Sequence, residues 1–168
     1  MAVRRSPGEP EIRRATPDQA EQLTAVAIVS KAHWGYDDEF MARFASVITI
    51  TSGYVRQNEV WIVAEGGEIA GFYALLDYGE MGELDHLWLL PAHIGKGFGR
   101  LLFEHAAGRA RDLGNRRLEW EAEPNAIGFY ERMGGRTDRE TMGQLGRPLK
   151  VMTLEVAIDK RMRASETT

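Results

Sequence analysis

Three glycines at alternate positions, Gly95, Gly97 and Gly99, stand between a run typical of a β-strand and a run typical of a helix. Glycine lets the backbone approach a ligand closely and turn several N–H groups toward it, and the positive end of a helix dipole attracts anions. The segment therefore has the chemistry of a phosphate-binding loop. A tight turn that holds no ligand is the structural alternative for so short a motif.

Two other nucleotide-binding motifs can be compared with this loop. A Walker A loop requires Gly-x-x-x-x-Gly-Lys followed by Ser or Thr, whereas Lys96 is followed by Gly97, so that motif is absent. A dinucleotide fingerprint, Gly-x-Gly-x-x-Gly, needs a third glycine where Arg100 stands, although Glu119 has the spacing of a ribose-binding acid. On the residues alone, a dinucleotide-binding oxidoreductase stays open as an alternative.

A second set of reactive residues lies on the predicted strand that precedes the loop. Period-two alternation puts Glu83, Asp85, Leu87 and Leu89 on one face of this strand. Partial burial and a neighbouring carboxylate both raise the pKa of a glutamate, which suits a general base. The alternative is a pair of solvated charges that orient arginine or histidine side chains. His86 faces the other way and is expected to be a structural histidine.

The segment from Glu83 through the glycine loop resembles the acetyl-CoA-binding motif of the GNAT superfamily of N-acetyltransferases, in which (Gln/Arg)-x-x-Gly-x-(Gly/Ala) lies between the fourth strand and the third helix. The stretch 125–134 is similar to that superfamily's Phe-Tyr-x-x-x-Gly helix. The resemblance spans about Glu11 to Val156. The sequence departs from the pattern at Ile94, which occupies the Gln/Arg position, and at Glu123, which stands seven residues before the tyrosine where Asn is often found.

The resemblance implies an acetyl-CoA-dependent N-acetyltransferase that transfers the acetyl group directly to a primary amine. Glu83 falls where some members carry a general base, with Asp85 as the reserve, and Tyr130 falls where a phenol protonates the departing thiolate. The backbone N–H of Leu87 would polarise the thioester carbonyl, beside a gap between the fourth and fifth strands that admits the pantetheine arm. The positions implied to bind the coenzyme are Leu87, Leu89, Ile94, Gly95, Lys96, Gly97, Phe98, Gly99, Arg100 and Asn125.

The residues leave structural alternatives open at the second motif. Phe129 and Met133 are four residues apart and are expected to pack their short helix onto the sheet, and Tyr130 could do the same. Tyr130 lies about 100° around the helix from Phe129 and can therefore face a different surface. Asn125 is expected to cap the helix. A non-catalytic module that senses CoA or binds a partner also stays open.

The segment His33–Asp38 is aromatic and acidic, and it joins the first two predicted helices. The resemblance places it where the superfamily shapes its acceptor site, and acidic groups there would suit a cationic amine. The alternative is a helix connection whose Trp34 and Tyr36 cover the core. The acceptor is expected to be a small-molecule or peptide amine.

Around these motifs, periodicity and turn residues predict a mixed α/β order. Thr16-Pro17-Asp18-Gln19 has the form of a capping box, so a helix should run from Pro17 to Lys31, and a second should begin near Asp37. The remaining predicted helices are Arg100–Leu113 and Asn125–Met133, and the predicted strands are Glu11–Ala15, Val60–Glu65, Ile69–Leu76, Glu83–Leu90, Arg117–Ala122 and Leu149–Ile158.

The resemblance implies one GNAT-like domain over residues 11–158. Its central sheet would be mixed and mostly antiparallel, splayed between its fourth and fifth strands and flanked by about four helices. Residues 1–10 and 159–168 are expected to be frayed tails, because they are polar and without apolar periodicity.

The composition limits the partners. The 168 residues carry a net charge of -4, which gives no general attraction to nucleic acid or to an anionic membrane. The sequence contains no cysteine, so a thiolate nucleophile is excluded, and the four histidines lack metal-ligand spacing, so no metal is expected. Without an apolar run of about 20 residues or a signal peptide, the expected location is the cytoplasm. A homodimer through the C-terminal strands is the expected assembly.

Overall fold

The computed structural model describes residues 8–156. Residues 1–7 of the predicted N-terminal tail 1–10, the predicted tail 159–168 and the predicted end of the last strand at Ile158 therefore lie outside the described residues. Within residues 8–156, no helix combines the length and apolar character that crossing a bilayer requires.

Seven strands form one mixed sheet in the order β1-β2-β3-β4-β5-β7-β6. The pairs β1–β2, β5–β7 and β6–β7 are antiparallel, whereas β4–β5 is parallel. The strands are β1 Glu11–Arg14, β2 Glu59–Glu65, β3 Glu68–Tyr78, β4 Met81–Leu89, β5 Arg117–Ala122, β6 Arg136–Met142 and β7 Pro148–Glu155. The predicted mixed sheet is thereby confirmed.

Five α-helices accompany the sheet in the described part of the chain, where about four were predicted. They are α1 Ala20–Ala32, α2 Asp38–Val47, α3 Ser52–Gln57, α4 Phe98–Asp112 and α5 Ile127–Arg132. Single 3-10 turns precede three of them, at Pro17–Gln19, Pro91–His93 and Pro124–Ala126.

The helix starts follow from short polar side chains. The Thr16 N–H donates to Gln19 Oε1 at 2.9 Å, as the predicted capping box requires, and the chain continues through the 3-10 turn into α1. Asp37 accepts from the N–H of Phe40 at 2.8 Å and so begins α2, as predicted. The Thr51 hydroxyl accepts from the N–H of Tyr54 at 3.0 Å and begins α3. The sequence analysis did not predict this helix.

Two compact units make up the described chain, and β3 and β4 contribute residues to both. The first unit contains the residues up to Ala74 together with His86–Leu102. Its core lies between α1, the end of α3 and the strands β2 and β3, and includes the fully buried residues Leu23, Ala27, Val60, Ile62, Phe72 and Ala74.

The second unit contains Leu75–Asp85 and the chain from Phe103 onward. Its core is built from α4, α5, β5 and β7, and its largest buried side chains include Trp120, Phe103, Leu118 and Met152. The strand β6 is exposed along nearly its whole length, which is why apolar periodicity did not predict it.

Candidate functional site

The parallel pairing of β4 with β5 places two glutamates side by side. The register runs from Met81–Arg117 to Glu83–Glu119, although β5 continues to Ala122. Register partners on neighbouring strands point to the same face of a sheet, so Glu83 and Glu119 share a face. Within residues 8–156 the two strands are paired only over these first positions, which confirms the predicted splay between the fourth and fifth strands.

Glu83 is half-buried, and its surroundings raise the pKa of its carboxyl above the ordinary value. Burial is the largest cause, followed by the charges of Asp85, Glu121 and Glu119, while a hydrogen bond from the Tyr78 hydroxyl acts in the opposite direction. Burial and Asp85 are the two causes predicted from the sequence. Asp85 itself is exposed, so of the two carboxylates Glu83 is the one partly removed from water.

Glu119 is buried, with 7% of its surface exposed, and is held by two arginines. Its Oε1 lies 3.1 Å from Arg139 Nη1 and 3.3 Å from Arg117 Nη2. Glu119 and Asp138 both raise the pKa of the Arg139 guanidinium, which therefore stays charged. The sequence analysis considered Glu119 only as a ribose-binding acid. Its part in the carboxylate cluster depends on the β4–β5 register, which a single sequence does not reveal.

Tyr130 packs on the opposite face of β5. Side chains alternate along a strand, so Trp120 points away from Glu119, and the Trp120 ring lies 5.0 Å from the ring of Tyr130. Phe103 of α4 and Phe129 complete the aromatic cluster, at 5.9 and 5.2 Å from Tyr130. Burial, with a smaller contribution from the charge of Glu123, raises the pKa of the Tyr130 phenol.

The short helix packs through all three residues that the sequence analysis named. Phe129 and Met133 are half-buried, and Tyr130, which was left open as a further packing residue, is the most buried of the three, with 6% of its surface exposed. The reason is that the large rings of Trp120 and Phe103 lie on the side of α5 where Tyr130 projects. Tyr130 therefore has a structural role whether or not it also acts in catalysis.

The expectation that Asn125 caps this helix was wrong. Pro124, whose fixed φ suits the first position of a turn, starts the 3-10 turn Pro124–Ala126, so Asn125 lies inside the turn. Ala126 is the residue that precedes α5. The Asn125 amide donates to Glu123 Oε1 at 2.8 Å, which joins it to the position at which the superfamily often has Asn.

The glycine loop follows β4 and the 3-10 turn Pro91–His93 in the first unit. Gly95 and Gly97 both have a φ of +83°, in the left-handed region that glycine adopts without strain. A Cβ added to either would meet no atom within 4 Å beyond its chain neighbours, so the backbone face of the loop is open. The predicted helix start at Arg100 was wrong, since α4 begins at Phe98 and contains Gly99, a residue small enough to enter the first turn.

The remaining predicted coenzyme positions flank this loop. Leu87 and Leu89 are half-buried on β4, and the Leu89 carbonyl accepts a hydrogen bond from the buried Ser30 hydroxyl at 2.6 Å. On the other face of the strand, Trp88 Nε1 donates to His86 Nδ1 at 3.0 Å, which confirms His86 as a structural histidine. The side chains of Ile94, Lys96 and Arg100 are exposed.

The segment His33–Asp38 connects α1 to α2 as predicted, and its rings are used in two ways. Tyr36 stacks on Phe40 with centroids 4.3 Å apart, and the Lys31 ammonium lies 4.7 Å from the Tyr36 centroid and 5.6 Å from that of Phe40. Trp34 keeps 38% of its surface exposed. Tyr36 therefore packs on the helix that the loop enters, whereas the exposed Trp34 does not cover the core as the structural alternative expected.

The predicted site residues divide between the two units. The first unit holds the loop from Ile94 to Arg100 with Leu87 and Leu89, and the second holds Glu83, Asp85, Tyr130 and Asn125. The sequence analysis did not identify Tyr78 and Glu121 as neighbours of Glu83. The alternation of Arg117–Ala122 could have indicated Glu121, because Glu119 and Glu121 share a face of that strand.

Comparison with known proteins is consistent with this geometry. The model of the acetyltransferase (GNAT) family matches residues 26–135, more than half of the chain. The chain is 29% identical over 147 residues to the peptidyl-lysine N-acetyltransferase YjaB of Salmonella typhimurium, which covers 85% of this chain and 95% of that protein.

Two solved structures share the fold. A GCN5-related N-acetyltransferase from Rhodopseudomonas palustris superposes with a TM-score of 0.77 at 20% identity, over 90% of this chain and 98% of the other. The PaiA N-acetyltransferase from Thermoplasma acidophilum, solved in complex with coenzyme A, gives a TM-score of 0.74 at 19% identity, over 88% and 99% of the two chains.

Proposed function

Since the chain belongs to the acetyltransferase (GNAT) family and is an acetyl-CoA-dependent N-acetyltransferase, we propose that its acceptor is the side-chain amine of a lysine in a protein or peptide. The curated relative with 29% identity bears the name of a peptidyl-lysine N-acetyltransferase. The observation that carries the proposed mechanism is the half-buried Glu83 carboxylate, whose pKa is raised by burial and by three further carboxylates.

The loop from Ile94 to Arg100 is the part of the chain that fits acetyl-CoA. The open backbone face at Gly95 and Gly97 lets N–H groups reach a diphosphate, and Lys96 and Arg100 add positive charge beside it. Acetyl-CoA, when bound, supplies the activated acetyl thioester. The chain's own contribution at the thioester carbonyl is the backbone N–H of Leu87, on the strand that leads into the loop.

Glu83 is the proposed general base. A lysine amine has a pKa of about 10.4 and is mostly protonated near pH 7, so it must lose a proton before it can attack a thioester. A carboxylate whose pKa is raised toward the working pH accepts that proton more readily than an ordinary glutamate does. The exposed Asp85, at the same strand end, contributes by raising the pKa of Glu83.

Tyr130 is the proposed hydrogen-bond donor to the leaving sulfur. Its raised pKa keeps the phenol protonated throughout the range in which the enzyme would be assayed. The same shift makes the phenol a weaker acid, so its contribution is expected to be smaller than that of the base.

The charge around Glu83 favours a cationic acceptor. The charges of Asp85, Glu119 and Glu121 all act on Glu83, and two arginines bind Glu119. An approaching lysine ammonium would therefore be attracted before it is deprotonated.

A thiol-release assay tests the acceptor class. Acetyl-CoA is supplied with a lysine-containing peptide whose N-terminus is blocked, with the same peptide in which lysine is already acetylated, and with a peptide that offers only a free N-terminal amine. We expect CoA release with the first peptide alone, and loss of that release in Glu83→Gln. Release with the N-terminal peptide or with polyamines and none with lysine would overturn the lysine assignment while leaving the acetyltransferase intact.

We also propose a cytoplasmic location and a homodimer. Acetyl-CoA-dependent modification of lysines requires the enzyme to share a compartment with that coenzyme. For the dimer, the support is the exposed edge strand β6, because an unpaired strand edge can pair with a second copy. Light scattering on the purified chain tests the assembly, and a monomeric mass at all concentrations would contradict it.

A further inference from the structure

The four-residue turn that carries Gly95 and Gly97 is closed at its base by two stacked rings. His93, the last residue of the preceding 3-10 turn, stacks on Phe98, the first residue of α4, with centroids 5.4 Å apart and planes inclined by 24°. Phe98 is buried, with 4% of its surface exposed, and so forms a fixed wall. The His93 N–H donates to the Leu90 carbonyl at 2.9 Å, which ties this end of the turn back to the chain after β4.

A single carboxylate contacts both sides of the same turn. Glu65 is the last residue of β2, and its Oε2 lies 3.0 Å from His93 Nδ1 and 4.0 Å from Lys96 Nζ. His93 Nδ1 is buried, and the contact with Glu65 is close without being aligned as a hydrogen bond. The side chains of His93 and Glu65 are 18% and 30% exposed, whereas that of Lys96 is 52% exposed, so the His93 contact is the less hydrated of the two.

We propose that His93 and Glu65 are positioning residues for the coenzyme loop, holding its backbone amides in the arrangement that receives the diphosphate. This inference rests on the proposed function, in which the loop binds acetyl-CoA. Glycine-rich backbone loses much conformational entropy when it is fixed, so a loop that is ordered beforehand binds more tightly. Ile94 is 42% exposed and its N–H donates to the Pro91 carbonyl at 3.2 Å, so the ring of His93 and the carboxylate of Glu65 are side-chain anchors next to it.

Glu65 has two opposing effects on an anionic ligand. Its negative charge repels a diphosphate, but that charge is shared with Lys96 and is partly hydrated, so the repulsion is screened by salt. The contact of Glu65 with His93 fixes the loop, and it is less hydrated than the contact of Glu65 with Lys96. We therefore expect anchoring to outweigh repulsion, and removal of the Glu65 charge to weaken binding.

Calorimetric titration of the full chain with acetyl-CoA tests the proposal. His93→Ala, which removes both the ring contact and the carboxylate contact, should raise the Kd about tenfold. His93→Phe keeps a ring against Phe98 but cannot pair with Glu65, and it should raise the Kd about threefold, as should Glu65→Gln. Because these two changes remove the same contact, the double variant should bind about as well as either single variant.

The double variant tests whether the two residues act through one shared contact, since two independent changes would add. Should His93→Ala fail to fold, His93→Phe and Glu65→Gln keep the test complete. Glu155→Gln is the matched charge control, because Glu155 pairs with Arg136 at 3.8 Å on the surface, and it should bind acetyl-CoA as the unchanged chain does.

Gly97→Val distinguishes failure of this inference from failure of the proposed function. The substitution puts a side chain on the open face of the loop and should weaken binding strongly. Normal binding by the His93 and Glu65 variants, together with weak binding by Gly97→Val, would overturn the positioning role alone. Normal binding by Gly97→Val as well would show that the loop is not the coenzyme site. Tighter binding by Glu65→Gln at low salt would mean that repulsion dominates, which also overturns the proposal.

Discussion

Replacing Glu83 by glutamine removes one charge from the carboxylate cluster while keeping the size of the side chain. If Glu83 is the general base, kcat should fall about 100- to 10,000-fold, the usual contribution of a positioned acid or base. This fall corresponds to roughly 3–5 kcal/mol of activation free energy. The Kd for acetyl-CoA should not change, because Glu83 is not among the residues proposed to hold the coenzyme.

The raised pKa of Glu83 also predicts the direction in which the rate changes with pH. In the unchanged enzyme the rate should rise with pH through the raised pKa of Glu83, since only the carboxylate accepts a proton. This rise at low pH is the acid limb of the pH–rate profile, and the profile of Glu83→Gln should lack it. The exposed Glu80, which pairs with Arg116 at 3.5 Å, supplies the matched control, and Glu80→Gln should keep both the rate and the limb.

The same substitution should stabilise the protein at neutral pH. A glutamate whose pKa is raised by folding favours the folded state only while it is protonated, so its contribution is lost as pH rises through that pKa. Glu83→Gln should therefore melt higher than the unchanged chain at pH 7, and the difference should disappear below the pKa of an unfolded glutamate. Because the group is half-exposed and screened, the gain should be at most about 1 kcal/mol, or roughly 2–4 °C in Tm.

Stopped-flow or thiol-release rates across pH, with calorimetric melting at two pH values, complete this test. A Glu83→Gln enzyme that keeps its kcat within about threefold, or keeps its acid limb, would remove Glu83 from the mechanism, because a base that contributes so little is not acting as one. Lost activity together with a lower Tm at pH 7 would instead mean that the carboxylate is structurally required.

Further predictions concern the neighbours of these groups. Asp85→Asn should move the acid limb of the pH–rate profile to lower pH, since it removes a charge that raises the pKa of Glu83; an unmoved limb would contradict the coupling. Tyr130→Phe should lower kcat about tenfold and leave any alkaline limb in place, because the raised pKa of Tyr130 keeps it from titrating there; loss of that limb would refute this. Gly135→Ala should destabilise the fold by about 1–3 kcal/mol, because the added Cβ would lie 2.8 Å from the buried Trp120 ring, whereas Gly108→Ala in α4 should be neutral or stabilising; chemical denaturation compares them.

Local chemistry made parts of this fold predictable. Gly66 and Gly67, with φ of +59° and +83°, form the turn between β2 and β3 that their position predicted, and Asp37 begins α2 through its own side chain. Such features depend on a few adjacent residues. The strand β6 could not be found in this way, because it is a polar edge strand whose order comes from pairing with β7 rather than from burial.

In the candidate site, too, some residues are determined by local sequence and others by contacts between distant parts of the chain. The turn at Gly95 and Gly97 could be predicted from the sequence, because a backbone with a positive φ favours glycine over other residue types. The contacts of Glu65 with His93, and of Glu119 with Arg139, join residues 28 and 20 positions apart and depend on which strands are neighbours. The burial of Tyr130 likewise depends on Trp120 and Phe103, which come from other elements.

The two faces of β5 explain how one strand can serve two proton transfers. Glu119 lies on the face of Glu83, and Trp120 lies on the face of Tyr130, so strand alternation keeps the proposed base and the proposed donor apart. This separation has a chemical use, because the negative charge of a carboxylate beside the phenol would raise the phenol's pKa further and make it a poorer proton donor. Burial is the largest cause of the raised pKa on both faces, and different charges add to it: Asp85, Glu121 and Glu119 at the base, and Glu123 at the phenol. A substitution on either face should therefore change one proton transfer without disturbing the pKa that governs the other.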